Sequence, residues 1–403
     1  MQICLITSSY ARFEDDGNAR FVRSIAEAQA ALGHEVHVLA PYTPQVQPYT
    51  SPVHVHWFRY IWPTRWGMMG HAAALENDRQ LRGMAVLQAP FFAASLLLHL
   101  QKLIRQYHFD LLHAHWIIPA GVLVNWAAQV NRLPFFVSLH GSDVYLVQRS
   151  TVWGSLARGA FRRAQGVTAC SQPLADGAIQ CGAHANRVKV IPYGADPERI
   201  MPVFDQTKLR QRLNLPQNDL IVLGAGRLVS KKGFALLVKA MPAVLRVQPQ
   251  ARLLILGDGP ERGLIEQLSC ELGIADRVSL PGAVHWSLVS QYMAAADLFV
   301  MPSVRDAKGN LDGLPNVILE AMAVGIPIVA TRIAGIPLAV RDRETGLLID
   351  QPEPYELSAA IVNLLAAPES RVAMGHAARQ RIETELNWRE YAHHLDDMYQ
   401  ARG

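Results

Sequence analysis

Apolar and polar positions along the chain fall into two alternating modes. Short unbroken apolar runs (ICLITSSY, EVHVLAP, DLLHAH, PFFVSLHG, GVTACS and KVIPYG) read as parallel strands buried on both faces. Between them apolar residues recur at helical spacing, as in RFVRSIAEAQAALG, which closes on Gly33. A polar, Pro-containing stretch follows Tyr193-Gly194 and runs to about Pro216 with no strand signal. The alternation then restarts with DLIVLGAGRL, ARLLILGDG, VSLPGAV, DLFVMPS, IPIVAT and GLLID. Strand and helix repeated in this way predict an α/β fold of two Rossmann-like, doubly wound parallel sheets. The expected domains are 1–195 and 217–380, joined by a linker at 196–216. The amphipathic tail around NWREYAHHLDDMYQ, within 381–403, is expected as a helix packing back toward the first domain.

A length of 403 residues suits two domains of this size. Half the residues are hydrophobic and 18% are charged, which excludes disorder. The net charge of +4 is uneven: residues 1–190 hold 16 Lys/Arg against 10 Asp/Glu, and the remainder 22 against 24. A basic first half suits an anionic partner, a phosphate-bearing lipid or membrane surface, as well as a plain solvated face. Cys4, Cys170, Cys181 and Cys270 form no CxxC pair and read as buried thiols of a reducing compartment. The chain opens on the strand-like QICLITSS, so no signal peptide is expected, and FFAASLLLHL is too short to span a bilayer. The expected location is the cytoplasm, at most against the inner face of the membrane.

Ligands of open α/β sheets bind beyond the carboxyl ends of the strands, and two such domains facing each other would enclose a cleft. GAGRLVSKKGF, after the strand DLIVL, places Arg227 and Lys232 among glycines, either a diphosphate clamp or a solvated basic turn. GDGP, with Gly257, ends the next strand, a weak signal by itself. DGLPNVILEAMAVGIPIVAT carries Asp312, then Gly313, Leu314, Pro315 and Asn316 at a helix start, with Pro315 expected at the first helical position. Free N–H groups and the dipole at such a start attract anions. Glu320 lies roughly 8 Å along the helix from Pro315 and interrupts an apolar run, where an unpaired carboxylate is costly. Asp312 has a plainer role open to it as a helix cap.

These ordered motifs, from Arg227/Lys232 through ADLFVMPS to the acid-x7-Glu element and EAMAxGxPIVAT, resemble the retaining glycosyltransferases of the GT-B fold, family 4. The resemblance spans about 120 residues of the second half. It implies that Arg227 and Lys232 hold the donor's diphosphate and that Asp312 contacts donor sugar hydroxyls. Gly313 to Asn316 would offer N–H groups to sugar and phosphate, and Glu320 would take the ribose hydroxyls. Leu280 to Val284, with Gly282, resembles the strand-end loop near the base. Asp312 departs from the family's usual Glu by one methylene.

The resemblance places the acceptor on the first half, where Gly17 takes the position of a glycine-rich turn, or simply of a tight turn before a helix capped by Asn18. His113 and His115 alternate on one strand and read as core rather than as zinc ligands. His140 follows a strand end, as the family's cleft histidine does, with Asp143 either orienting it or capping the next helix. HVHWFRYIWPTRWGMM and WGSLARGAFRRAQ mix aromatic and basic residues, suiting a membrane surface, an acceptor groove or domain packing. A dehydrogenase is excluded because SSYARFEDDGNA lacks GxGxxG. The expected activity is retaining, metal-independent transfer from a nucleotide-sugar to a glycan or lipid-linked acceptor in bacterial lipopolysaccharide, capsule or exopolysaccharide synthesis. A silent nucleotide-sugar-binding protein or an epimerase of the same fold is the alternative.

Overall fold

The computed structural model describes residues 1–401 except 18, 72–82, 201–204 and 308. The chain forms two compact units, Met1–Ile191 with Trp388–Gly403, and Pro192–Asn387. In the first, strands β1 (Gln2–Thr7), β2 (Glu35–Pro41), β3 (His54–Phe58), β4 (Leu111–His115), β5 (Phe135–Leu139), β6 (Gly166–Ala169) and β7 (Val188–Val190) form one parallel sheet. Its order is β3-β2-β1-β4-β5-β6-β7. In the second, β8 (Leu220–Ala225), β9 (Ala251–Leu256), β10 (Val278–Gly282), β11 (Leu298–Met301), β12 (Ile328–Thr331) and β13 (Leu347–Ile349) run parallel in the order β10-β9-β8-β11-β12-β13. Both sheets therefore reverse their winding beside the first strand, at β1/β4 and at β8/β11, where chain segments leave in opposite directions.

Burial on both faces explains the continuous apolar runs: Val222, Leu253, Leu298, Val300 and Val329 are fully buried and meet Phe234, Leu237 and Ile361 of the covering helices. Several expectations are corrected. HVHWF is the edge strand β3, not expected as a strand because histidines mask its alternation. In the segment read as a linker, Gln206–Arg212 is a helix of the second unit. Arg210 there bonds Ala295 O at 2.9 Å and Asp297 at 2.7 Å. The tail divides: Pro368–Thr384 is a helix of the second unit, while Trp388–Gln400 belongs to the first, with Gln29 Nε2 donating to Ala392 O at 2.9 Å. Phe161 is core, on the helix Thr151–Arg163 that holds most of WGSLARGAFRRAQ. Cys270, expected in the core, is exposed.

FFAASLLLHL lies inside one 24-residue helix, Gly83–Gln106, whose length and apolar composition alone would let it cross a bilayer. Ala85, Gln88, Phe92, Leu96, Leu100 and Leu103 form its buried stripe at helical spacing. Its outer side shows Met84, Leu87, Phe91 and Leu98 more than half exposed.

Backbone contacts lock the loops at the β8/β11 reversal. Leu228 N donates to Asp258 O at 2.9 Å, Gly257 N to Gly282 O at 2.8 Å, and Val304 N to Lys231 O at 2.9 Å. Gly233 has φ +70°, and a Cβ there would stand 1.9 Å from Pro302 O. Gly233→Ala should therefore cost at least ~3 kcal/mol through strain and clash. Urea unfolding checks this, and a variant melting like the parent would show that the loop contact does not hold the unit.

Candidate active site

The residues singled out in the second half converge at the carboxyl ends of β8 and β11. Lys232 Nζ lies 2.6 Å from Asp312 Oδ2, and Lys231 Nζ lies 3.3 Å from Oδ1. All three side chains are at most 15% exposed. Burial alone would raise the Asp312 pKa, but Lys232 and Lys231 outweigh it and hold the group at about 2. Asp312 is thus a carboxylate at every physiological pH, and its partners are the lysines of the expected clamp. Lys231 was missed in the sequence; the doubled lysine in SKKGF was the available signal. Arg227 stands exposed on the same loop, beyond Gly226 at φ +149°.

Gly313 is buried, and its carbonyl accepts from Gly335 N at 2.7 Å, so the segment after β12 fixes the turn. Pro315 is not the first helical residue as expected. It is the extended residue before it (ψ 114°), and the helix is Asn316–Val324. Its fixed φ near −65° suits that position as well. The amide donors of this helix start stand next to the Lys–Asp group in sequence, an anion-attracting end beside fixed ammonium groups. Glu320, half-buried one turn in, accepts from Trp286 Nε1 at 3.4 Å. Trp286 opens the helix Trp286–Ala295 after β10 and was not anticipated. Gly257, at φ +131° with a Cβ position 1.9 Å from Gly226 O, secures the β9 loop. Arg262 Nη2 donates to Leu280 O at 2.9 Å, and Gly282 (φ +88°) ends β10.

In the first unit, His115 ends β4 and His140 follows β5. Their rings stack at 5.1 Å, joined by His115 Nδ1 and His140 Nε2 at 2.9 Å. Phe21 and Trp116 each meet the His140 ring edge-to-face at 4.8 Å. His113 bonds Ser138 Oγ at 2.8 Å and also the Tyr399 hydroxyl. Burial pulls all three imidazoles down, His115 to about 3, so the cluster is neutral. His115, read as core packing, is the partner of His140. Asp143 accepts from Ile117 N at 2.7 Å in the first turn of the helix Ser142–Arg149. Gly17 is exposed, while Asn18 lies outside the described residues.

The model for glycosyl transferases group 1 matches residues 205–381, and that for glycosyltransferase family 4 matches 16–199. A GDP-mannose-dependent alpha-(1-6)-phosphatidylinositol monomannoside mannosyltransferase of Mycolicibacterium smegmatis is 28% identical over 82% of this chain and 86% of its own. Sucrose-phosphate synthase from Thermosynechococcus elongatus superposes with a TM-score of 0.77 at 24% identity, over 99% of this chain and 98% of that one. Anabaena HepE, solved in complex with UDP, gives 0.74 at 21% identity over the whole of both chains. The chain belongs to the group 1, family 4-like glycosyltransferases of GT-B fold, and is a nucleotide-sugar glycosyltransferase.

Burial pushes the Asp143 carboxyl up to about 6 from 3.8, against the lowering effect of the Ile117 N–H and of its own helix start. The folded state then binds the proton more tightly than the unfolded state, so stability falls as pH rises from about 4 to about 6. Asp143→Asn removes that loss. Its stability relative to wild type should rise by about 2–3 kcal/mol between pH 4 and pH 7. Chemical denaturation at both pH values reads this, and a pH-independent difference would contradict it.

Proposed function

We propose that the chain transfers a sugar with retention of anomeric configuration from a nucleotide-diphosphate sugar to a lipid-linked glycan, in bacterial cell-surface polysaccharide assembly. The observation that carries the reading is the Lys231/Lys232–Asp312 group beside the Asn316 helix start. Two largely buried ammonium groups, with Arg227 on the same loop, supply the charge that a departing diphosphate needs. We infer that no divalent ion serves the transfer, since fixed cations and helix amides cover that role. Glu320, steadied by Trp286, takes the ribose hydroxyls, and Asp312 addresses the donor sugar. The lipid-linked acceptor is supported by the mycolicibacterial relative, named for a phosphatidylinositol mannoside.

The test is a screen of UDP-, GDP- and ADP-sugars, with nucleotide release and product anomeric configuration as readouts and EDTA as the metal control. Glu320→Ala should lower kcat/KM by at least ~100-fold, the order seen when one buried polar contact to the transition state is lost. Asp312→Asn should raise the KM for the preferred sugar. Unchanged kinetics in both variants, or an inverted product, would overturn the reading.

We further propose that the first unit rests on an anionic membrane at the cytoplasmic face, through the aromatic end of the first expected stretch together with the outer side of Gly83–Gln106. Leu87, Phe91 and Leu98 on the outer side of Gly83–Gln106, 68%, 65% and 71% exposed, join Trp62 at 80% and Trp66 at 58%. Arg65, Lys102 and Arg105 are exposed nearby in sequence. Liposomes containing anionic lipid should carry the protein upward in a flotation gradient at low salt, and Leu87→Asp/Phe91→Asp should remain at the bottom. Failure of the wild type to float would reject this placement.

A further inference from the structure

The opposite edge of the first sheet, at the amino ends of β2 and β3, carries chemistry that sugar transfer does not use. Glu35 opens β2 and His54 opens β3; in the parallel register His37 pairs with His54 and Leu39 with His56. The alternation of a strand therefore sends Glu35, His37, His54 and His56 to one face. One ligand atom from each of Glu35, His37 and His54 lies within 4.8 Å of the other two. We propose that these three residues form a transition-metal site of zinc type, separate from the catalytic ends of the strands.

The donor set is one carboxylate oxygen and two imidazole nitrogens, which suits Zn²⁺ and its borderline congeners rather than Ca²⁺ or Mg²⁺. Around zinc, ligand atoms stand about 3.4 Å apart, given bond lengths of about 2.1 Å. Small rotations of Glu35 and His54, both exposed, close the gap, while buried His37 stays fixed. The fourth position opens to solvent on that exposed side and takes water.

The surrounding hydrogen bonds are those of a prepared site. His37 Nε2 lies 3.1 Å from Glu35 Oε1, so in the metal-free chain Nε2 carries the proton and donates it to the carboxylate. Its other nitrogen, Nδ1, lies 2.9 Å from His56 Nε2, which is then the donor. When the metal takes His37 Nε2, the proton of that ring moves to Nδ1 and points at His56 Nε2, whose own proton moves to its Nδ1. Each ring keeps one proton, so none is lost. His56 becomes the outer partner that orients the ligand, and Gln2 Nε2, 2.9 Å from Glu35 Oε2, does the same for the carboxylate. Tyr107 and Phe109 pack against the His37 ring at 4.2 and 5.2 Å and fix its plane. Metal binding would pin the edge strand β3 to β2, and through it the segment that runs to Trp62 and Trp66.

The test uses the full-length protein without a histidine tag, stripped with EDTA and titrated with ZnCl₂ by calorimetry, then with Co²⁺ to record the visible bands of four-coordinate cobalt. One ion per chain and a raised Tm are expected. His54→Gln and Glu35→Gln, both at exposed positions, should each weaken binding by at least ~10-fold and remove the Tm increase. Thermal melts of the metal-free variants confirm that they fold, and sugar transfer should be the same with and without metal. Absence of saturable one-to-one binding, or equal binding by both variants, would overturn the proposal.

Discussion

The second unit depends on the close approach of Gly233 to the carbonyl of Pro302. β8 and β11 are neighbours in the sheet, yet the segments that leave them turn to opposite sides, so only the loops themselves can close the gap. A side chain at Gly233 would hold them apart. With none, Lys231 O accepts Val304 N, and the two lysines arrive over Asp312. The position of the anion site thus follows from one backbone contact that a single Cβ would forbid, and the positive φ explains why the residue is glycine.

A buried Lys–Lys–Asp group is a poor stability device, because removing three charges from water costs more than one short contact returns. Its value lies in having desolvated the lysines before the donor arrives. Two unit charges 4 Å apart at an effective dielectric of about 20 attract by about 4 kcal/mol. A diphosphate carries at least two negative charges to the one on Asp312, so it draws the ammonium groups more strongly while adding no new desolvation of the lysines. The shorter side chain of Asp312 is held against the lysines of its own unit; on the proposed function, its release toward a sugar hydroxyl is coupled to phosphate arrival.

What the sequence disclosed follows from which interactions are local. The twelve expected strands appear, the central ones because a strand buried on both faces must be apolar throughout, and that leaves a continuous run. β3 escaped because it is an edge strand with histidines at alternate positions, half-buried and polar on one face. The helix Gln206–Arg212 escaped because Arg210 and Asp297 hold it, a pairing 87 residues apart in sequence. Asp312, Glu320 and Lys232 were legible as interruptions of apolar or glycine-rich segments. Trp286 and His115 were not, since what qualifies them is a partner on another element: Glu320 and His140.

The His115–His140 pair shows how such a distant partner sets chemistry. Both rings are neutral, so one nitrogen of each carries a proton and the 2.9 Å contact has one donor. His115 Nε2 is buried without a hydrogen-bond partner. An unpaired buried N–H is rarer and costlier than an unpaired acceptor, so the bare nitrogen of His115 is Nε2 and its proton is on Nδ1. His115 then donates, His140 Nε2 accepts, and the proton of the His140 ring is fixed on Nδ1. Phe21 and Trp116 against the ring prevent a flip that would exchange the nitrogens. A histidine held in this tautomer, with its imidazolium form disfavoured by burial, stays uncharged. The first unit thus carries an uncharged imidazole pair at the carboxyl ends of β4 and β5, and the second carries its lysines at the carboxyl ends of β8 and β11.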